Sequence, residues 1–167
     1  MKLKLVADTS FLISIRISNI FYNLLKVSSI GITSSVKREL ESLAKYPDTE
    51  GKAAKFLLGQ LEKGSLTMEN AKSRLKNIGK GESSCVELYK TGRFDFLCCD
   101  DVDAIKVIAK EIGKESILMT FDIVEVLSRK HILNKRAVKR VVARLFRFRK
   151  WKLSYTMILL AKERGLL

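Results

Sequence analysis

A single histidine, His131, stands in the 167 residues. That scarcity argues against Ser-His-Asp and Cys-His catalysis. Cysteine is scarce as well. Cys85, Cys98 and Cys99 cannot all pair within one chain, no Cys-x-x-Cys occurs, and one histidine cannot complete a zinc site. Cys98 and Cys99 lie in the apolar run Phe94-Asp95-Phe96-Leu97-Cys98-Cys99 and read as small buried hydrophobes in a reducing compartment. The one proline, Pro47, leaves no proline-rich linker. There is no internal repeat and no low-complexity segment. No apolar run approaches the roughly 20 residues that cross a bilayer. Asp8 interrupts the apolar N-terminal stretch, which therefore does not read as a signal peptide. These absences give the expectation of a cytoplasmic protein with no membrane partner.

Acid is also in short supply: 18 Asp and Glu stand against 32 Lys and Arg, a formal charge of +14. A charge of this size speaks of partners rather than fold. The excess is concentrated between Arg129 and Lys152, where Arg129, Lys130, Lys135, Arg136, Lys139, Arg140, Arg144, Arg147, Arg149, Lys150 and Lys152 occur with no acid among them. A polyanion is the natural partner and nucleic acid the first candidate. A solvated basic face and an acidic membrane surface are the alternatives.

The hydrophobic fraction of 47% and the length fit one globular domain. Leu3 to Ala7 reads as a short buried strand that ends at an acid, Asp8. Apolar residues at helical spacing follow from Phe11 to Val27, with an interruption near Ser18-Asn19. Ser29 to Thr33 is a second strand, and Ser34 or Ser35 caps a helix over Val36 to Leu43 that carries Glu39. Residues 48–79 are the least constrained. Ala53 to Leu61 reads as a helix, Leu66 to Met68 as a brief strand and Glu69 to Leu75 as a helix turn or two, in a region suited to an arm or a homodimer element.

Gly79-Lys80-Gly81-Glu82-Ser83-Ser84 opens a helix over Ser83 to Lys90. It is not a phosphate loop, because Gly81 follows Lys80 where Ser or Thr belongs. Phe94 to Cys99 is the next strand and ends at Asp100 and Asp101. A helix over Ala104 to Ile112, a strand over Ser116 to Thr120 and a helix over Ile123 to Ser128 follow. Strands alternating with helices predict an α/β fold with a mainly parallel sheet. The boundaries are 1–128 for this unit and 129–167 for a basic helical extension packed on it, with Val138, Val141, Val142 and Leu145 facing inward.

The acids recur at comparable topological places. Asp8 ends the first strand, and Asp100 and Asp101 end the strand at Cys99. Glu82 lies at a helix start and Glu39 in the helix after the second strand. In an open parallel sheet such positions converge at the carboxyl edge, where ligands bind. Clustered carboxylates repel unless a cation sits among them. Oxygen donors without His or Cys favour Mg²⁺ or Mn²⁺, and such a site suits in-line attack of water on a phosphodiester. For any one acid alone, a cap or a surface ion pair is the plainer reading. An aspartyl-nucleophile phosphatase would need a second Asp two residues after Asp8, where Ser10 stands.

Four short motifs in order carry a resemblance. Asp8-Thr9-Ser10-Phe11-Leu12-Ile13 after an apolar strand resembles the opening motif of the PIN-domain ribonucleases. Val36-Lys37-Arg38-Glu39-Leu40 resembles their second, Gly81-Glu82-Ser83-Ser84-Cys85 the third, and Leu97-Cys98-Cys99-Asp100-Asp101 with Ala104 the fourth. The resemblance runs from the N-terminus to about Leu127 and continues more weakly through the tail. It implies a three-layer α/β/α sandwich and a Mg²⁺- or Mn²⁺-dependent endoribonuclease, often a toxin restrained by an antitoxin protein. Two departures stand out: Cys99 occupies a position that more often holds Thr, and Asp122 stands where a glycine is usual.

The expected catalytic residues are Asp8, Glu39, Glu82, Asp100 and Asp101, with Asp8, Glu82 and Asp100 as metal ligands. Counting back four from Ala104 selects Asp100 as the ligand and leaves Asp101 as support or helix cap. The expected RNA-binding residues are Arg136, Lys139, Arg140, Arg144, Arg147, Arg149 and Lys150. Arg136, Arg140 and Arg144 recur every four residues and so line one helix face. A PIN-like RNA-binding or scaffold module without nuclease activity is the alternative function.

Overall fold

Leu5, Val6 and Ala7 of strand β1 (Leu3–Ala7) are wholly buried. A strand covered on both faces belongs inside a parallel sheet. A computed structural model, describing residues 2–75, 77–149, 151 and 154–167, places β1 at the centre. It pairs with β2 (Ser28–Thr33) on one side and, across the sheet, with β4 (Phe96–Cys98). β3 (Thr67–Glu69) adds to β2 and β5 (Ile117–Leu118) adds to β4, giving a five-stranded, all-parallel order β3-β2-β1-β4-β5. The register sets Ala7 opposite Cys98, and Asp8 N–H donates to the Cys98 carbonyl at 3.0 Å. Strand order reverses between β1 and β4, so the topological switch point falls where Asp8 and Asp100 leave their strands.

The connections are helical. α1 (Thr9–Ile17) and α2 (Phe21–Val27) join β1 to β2, and α3 (Ser34–Leu43) and α4 (Thr49–Glu62) join β2 to β3. α5 (Lys80–Tyr89) crosses to β4, and α6 (Val102–Ile112) with a short 3-10 turn (Lys114–Ser116) leads to β5. Right-handed crossovers put these two groups on opposite faces. α4 packs on α1, and α5 packs on β1, β2, β4 and α6. α7 (Thr120–Arg129) and α8 (Lys135–Phe148) return to the α1 face, and α9 (Tyr155–Glu163) closes the chain. The result is the mainly parallel α/β fold that the alternating strands and helices predict, in the three-layer α/β/α form that the family resemblance implies.

The helix starts follow local chemistry. Asp8, Asp48, Asp101, Asn134 and Ser154 each accept a backbone N–H as N-caps of α1, α4, α6, α8 and α9. The break between α1 and α2 falls where expected, with Asn19 in the left-handed region at φ 63°. α8 buries Val138, Val141, Val142 and Leu145 in the same core as the sheet. Each such side chain contributes roughly 1.5–3 kcal/mol.

Four expectations are corrected. Thr33, not Ser34 or Ser35, caps α3, its hydroxyl accepting Val36 N–H at 3.3 Å. Residues 70–75 hold no helix turn, and the N–H groups of Arg74 and Leu75 instead donate to Ser83 Oγ at 3.0 and 2.8 Å. α5 begins at Lys80 rather than Ser83, so Gly81 and Glu82 belong to its first turn. α4 is no free arm: Ala53, Ala54 and Leu57 are buried in this chain's own core.

Candidate active site

Asp8 is 1% exposed and does two jobs at the end of β1. Its Oδ1 accepts Phe11 N–H at 2.8 Å, capping α1, and both carboxylate oxygens lie within reach of the Ser10 hydroxyl, at 3.0 and 2.8 Å. The same Ser10 oxygen accepts the Asp100 N–H at 2.9 Å. Ser10 therefore stitches the ends of β1 and β4 together.

Glu39 ties two other elements to this edge. Its Oε2 takes the Thr9 hydroxyl and its Oε1 takes the Gly81 N–H at 2.9 Å. A Cβ at position 81 would stand 2.5–2.8 Å from the Glu39 carboxylate, so only glycine permits this approach. Ser84 holds the α5 start from below, donating to the Gly81 carbonyl at 2.7 Å and meeting the Thr33 hydroxyl at 2.6 Å. Glu82, next to Gly81 and half-buried, is thereby presented on the same side as Glu39.

The two adjacent aspartates do different work. Asp100 is 4% exposed, its Oδ1 accepting Thr120 N–H at 2.8 Å and its Oδ2 the Thr120 hydroxyl at 2.6 Å. Asp101 is exposed and caps α6 through Oδ1 alone, accepting Asp103 and Ala104 N–H at 2.9 and 3.0 Å. Among the described residues its Oδ2 has no protein partner. The residue counted back from Ala104 is thus the one bound up internally, and its neighbour keeps an open oxygen.

The electrostatics follow from burial. Removal from water pushes the Asp8 carboxyl up to about 7 against the hydrogen bonds from Phe11, Cys99 and Ser10, with the Asp100 charge adding to the rise. Burial also raises Glu82, helped by the charges of Glu39 and Asp101. Asp100 is raised by burial against its Thr120 bonds. Burial raises all three thiols well above their usual range, which leaves them protonated packing groups. In a chain of net charge +14, no ion pair among the described residues neutralises Asp8, Glu39, Glu82, Asp100 or Asp101.

This donor set suits a hard divalent cation in kind: all oxygen, negatively charged and strained in the ionised form. Among the described residues, however, no three such side chains already converge as a ready-made ligand cage.

On α8, Arg136, Lys139, Arg140, Arg144 and Arg147 are exposed. Arg149 is not available in the same way: it is tucked in and ion-paired with Glu50 of α4. Lys150 and Lys152 lie outside the described residues. Phe146 stacks on Phe121 with ring centroids 6.2 Å apart, and Phe148 lies under the Arg144 and Arg147 guanidiniums, so both pack with the fold. Asp122 also has a structural task that the sequence did not reveal. Its Oδ2 accepts Met119 N–H and its Oδ1 the Arg164 Nε–H, both at 2.7 Å, pinning α9 to the start of α7. Thr120 is the site residue that sequence reasoning missed; its place at the start of the helix that follows β5 was the available signal.

Residues 4–163 match the family model described as DUF3368: PIN domain. The match runs through the basic tail and past the boundary at residue 128. No curated protein matches the chain. Among the described residues no helix is long and apolar enough to cross a membrane.

Proposed function

The chain belongs to the PIN-domain family, and from that premise we propose that it is a Mg²⁺- or Mn²⁺-dependent endoribonuclease. The observation that carries this reading is the un-neutralised acid edge at the switch point of a strongly basic protein. Asp8, Glu82 and Asp101 are the residues proposed to hold the cation. Asp101 stands beside Asp100 as the third ligand: its second oxygen is open to solvent, while each Asp100 oxygen, like those of Asp8, already accepts a hydrogen bond and keeps a further lone pair. A divalent cation supplies Lewis-acid activation of water and shielding of charge on the phosphate. The chain's own residues do the rest. Ser10 and Phe11 N–H fix the Asp8 carboxylate, Glu39 fixes Thr9 and the α5 start, and Asp100 fixes the β4–α7 junction through Thr120. The exposed basic residues of α8 bind the RNA backbone.

A toxin restrained by an antitoxin protein is the narrower form of this reading, with a cytoplasmic location. One observation favours a second reading. The acids spend many of their oxygens on neighbouring backbone N–H and hydroxyl groups and do not converge in threes, as befits an RNA-binding or scaffold module that has lost its chemistry.

Incubating wild type and Asp8→Asn with mixed RNAs under Mn²⁺, Mg²⁺ or chelator separates the two. The nuclease reading expects cleavage by wild type with metal only, and none by the variant. RNA held equally well with chelator and never cut supports the module. Equal cleavage by both proteins assigns the activity to a contaminant or another site.

A further inference from the structure

Three cations from three different helices line one hollow: Arg16 of α1, Lys52 of α4 and Arg144 of α8. The hollow measures about 150 Å³, is completed by Thr49, Ile17 and Ala53, and has no acid in its wall. None of the three cations is in an ion pair among the described residues. The two acids that flank Thr49 in sequence are engaged elsewhere: Asp48 caps α4 by accepting Gly51 N–H at 2.8 Å, and Glu50 pairs with Arg149. Like charges gathered without a counter-charge cost energy unless an anion joins them.

The two guanidiniums are also held in place beforehand. The Arg16 guanidinium carbon lies 4.1 Å from the centre of the Phe56 ring, and its Nη1–H donates to Asn19 Oδ1 at 3.2 Å. Asn19 reaches that position because it ends α1 in the left-handed conformation. Arg144 donates its Nε–H to the Ile17 carbonyl at 2.7 Å, satisfying a carbonyl at the end of α1. Each arginine thus spends one edge on the protein and keeps other N–H groups for a ligand. A planar fork with fixed orientation recognises phosphate oxygens.

We propose that this hollow is a phosphate-binding site, and that its occupant is a backbone phosphate of single-stranded RNA lying along the α1–α4–α8 face. It rests on the RNA reading above for the occupant, but not for the anion site itself. Two features favour RNA over a small free anion. Arg144 also lines a neighbouring groove of about 400 Å³ with Arg140, Asn19 and Asn23, so the positive surface continues beyond one phosphate. Along α1, Arg16 lies about 12 Å of helix rise from Asp8, a span that a strand reaching the acid edge would cover.

The test measures binding of a ten-residue oligouridine against salt concentration, with chelator present so that cleavage does not enter the readout. Arg16→Gln/Lys52→Gln is compared with Lys110→Gln/Lys114→Gln, which removes the same charge from exposed positions on α6 and the 3-10 turn after it. Because the hollow takes one phosphate, loss of the site in the first pair is expected to flatten the slope of log K against log salt by about 0.7. Lys52→Gln alone changes only an exposed side chain and is expected to give a part of that flattening. A flattening no larger than that of the Lys110/Lys114 pair overturns the proposal. A second arm titrates inorganic pyrophosphate while following the Arg16 Nε–H resonance. If RNA fails to bind wild type but pyrophosphate moves that resonance, the hollow is an anion site and RNA is overturned as its occupant, together with the RNA reading. If neither ligand binds, the hollow is no phosphate site.

Discussion

Glu39 and Gly81 are held against each other: one Glu39 oxygen takes the Gly81 N–H at 2.9 Å, and no room remains for a Cβ between them. Because the other oxygen takes the Thr9 hydroxyl, this carboxylate couples the start of α1 to the start of α5. Gly81→Ala is therefore expected to push Glu39 aside and move Glu82 with it. Overpacking of this kind costs about 1–3 kcal/mol. The variant should unfold at lower urea and lose most of its RNA cleavage. The exposed neighbour change Lys80→Ala should do neither, and parity between the two variants would contradict the coupling.

Asp100 and Asp101 are expected to fail in different ways. Asp100→Asn places an NH₂ against Thr120 N–H or its hydroxyl, leaving a buried donor unpaired, at a cost of about 1–3 kcal/mol. Asp101→Asn keeps a good N-cap on α6 and should unfold near the wild-type midpoint. It nevertheless removes the charge of the open oxygen, so cleavage should fall at least tenfold with Mn²⁺ while stability holds. Urea unfolding beside single-turnover cleavage distinguishes the pair. Normal cleavage by Asp101→Asn would return the ligand role to Asp100.

The Asp8 carboxyl gives a pH dependence with a definite sign. Its folded value of about 7 lies above the ordinary aspartate value of 3.8. Its stabilising contribution is therefore complete below about pH 4 and is lost as pH rises through 7. In chelator, wild type should lose stability relative to Asp8→Asn between pH 5.5 and 8.5. The difference is about 2 kcal/mol at most, from about 1.4 kcal/mol per pH unit up to the folded value. Urea titrations at the two pH values measure it. Parallel behaviour of the two proteins would mean that Asp8 ionises in the folded chain as easily as in water.

The α8 stripe should act through phosphate. The triple change of Arg136, Arg140 and Arg144 to Gln is expected to weaken RNA binding across sequences and flatten the salt slope by about 2. Mn²⁺ affinity should stay near wild type. An unchanged slope would make the stripe a solubility feature or a docking face for an acidic protein.

Much of this was legible in the chain, for physical reasons. β1, β2 and α8 were readable because burial leaves a strong periodic imprint, as in Leu5-Val6-Ala7 and in Val138, Val141, Val142 and Leu145. The acid edge was readable because Asp8, Asp100 and Asp101 terminate strands. What escaped was set by contacts distant in sequence. Nothing near Asp100 announces Thr120, whose two bonds decide which of the adjacent aspartates stays open. Nothing near Arg149 announces Glu50, which removes it from the free basic face. Segment 70–75 reads as helix by its spacing, but Ser83 captures its backbone N–H groups and holds it irregular.

The most direct measurement is a calorimetric Mn²⁺ titration of wild type, Asp8→Asn and Asp101→Asn at pH 7.5 without RNA. The expected result is a saturable binding event in wild type that is weakened at least tenfold in each variant. Wild type that binds no Mn²⁺, or variants that bind it as well as wild type, would contradict a cation held at this acid edge.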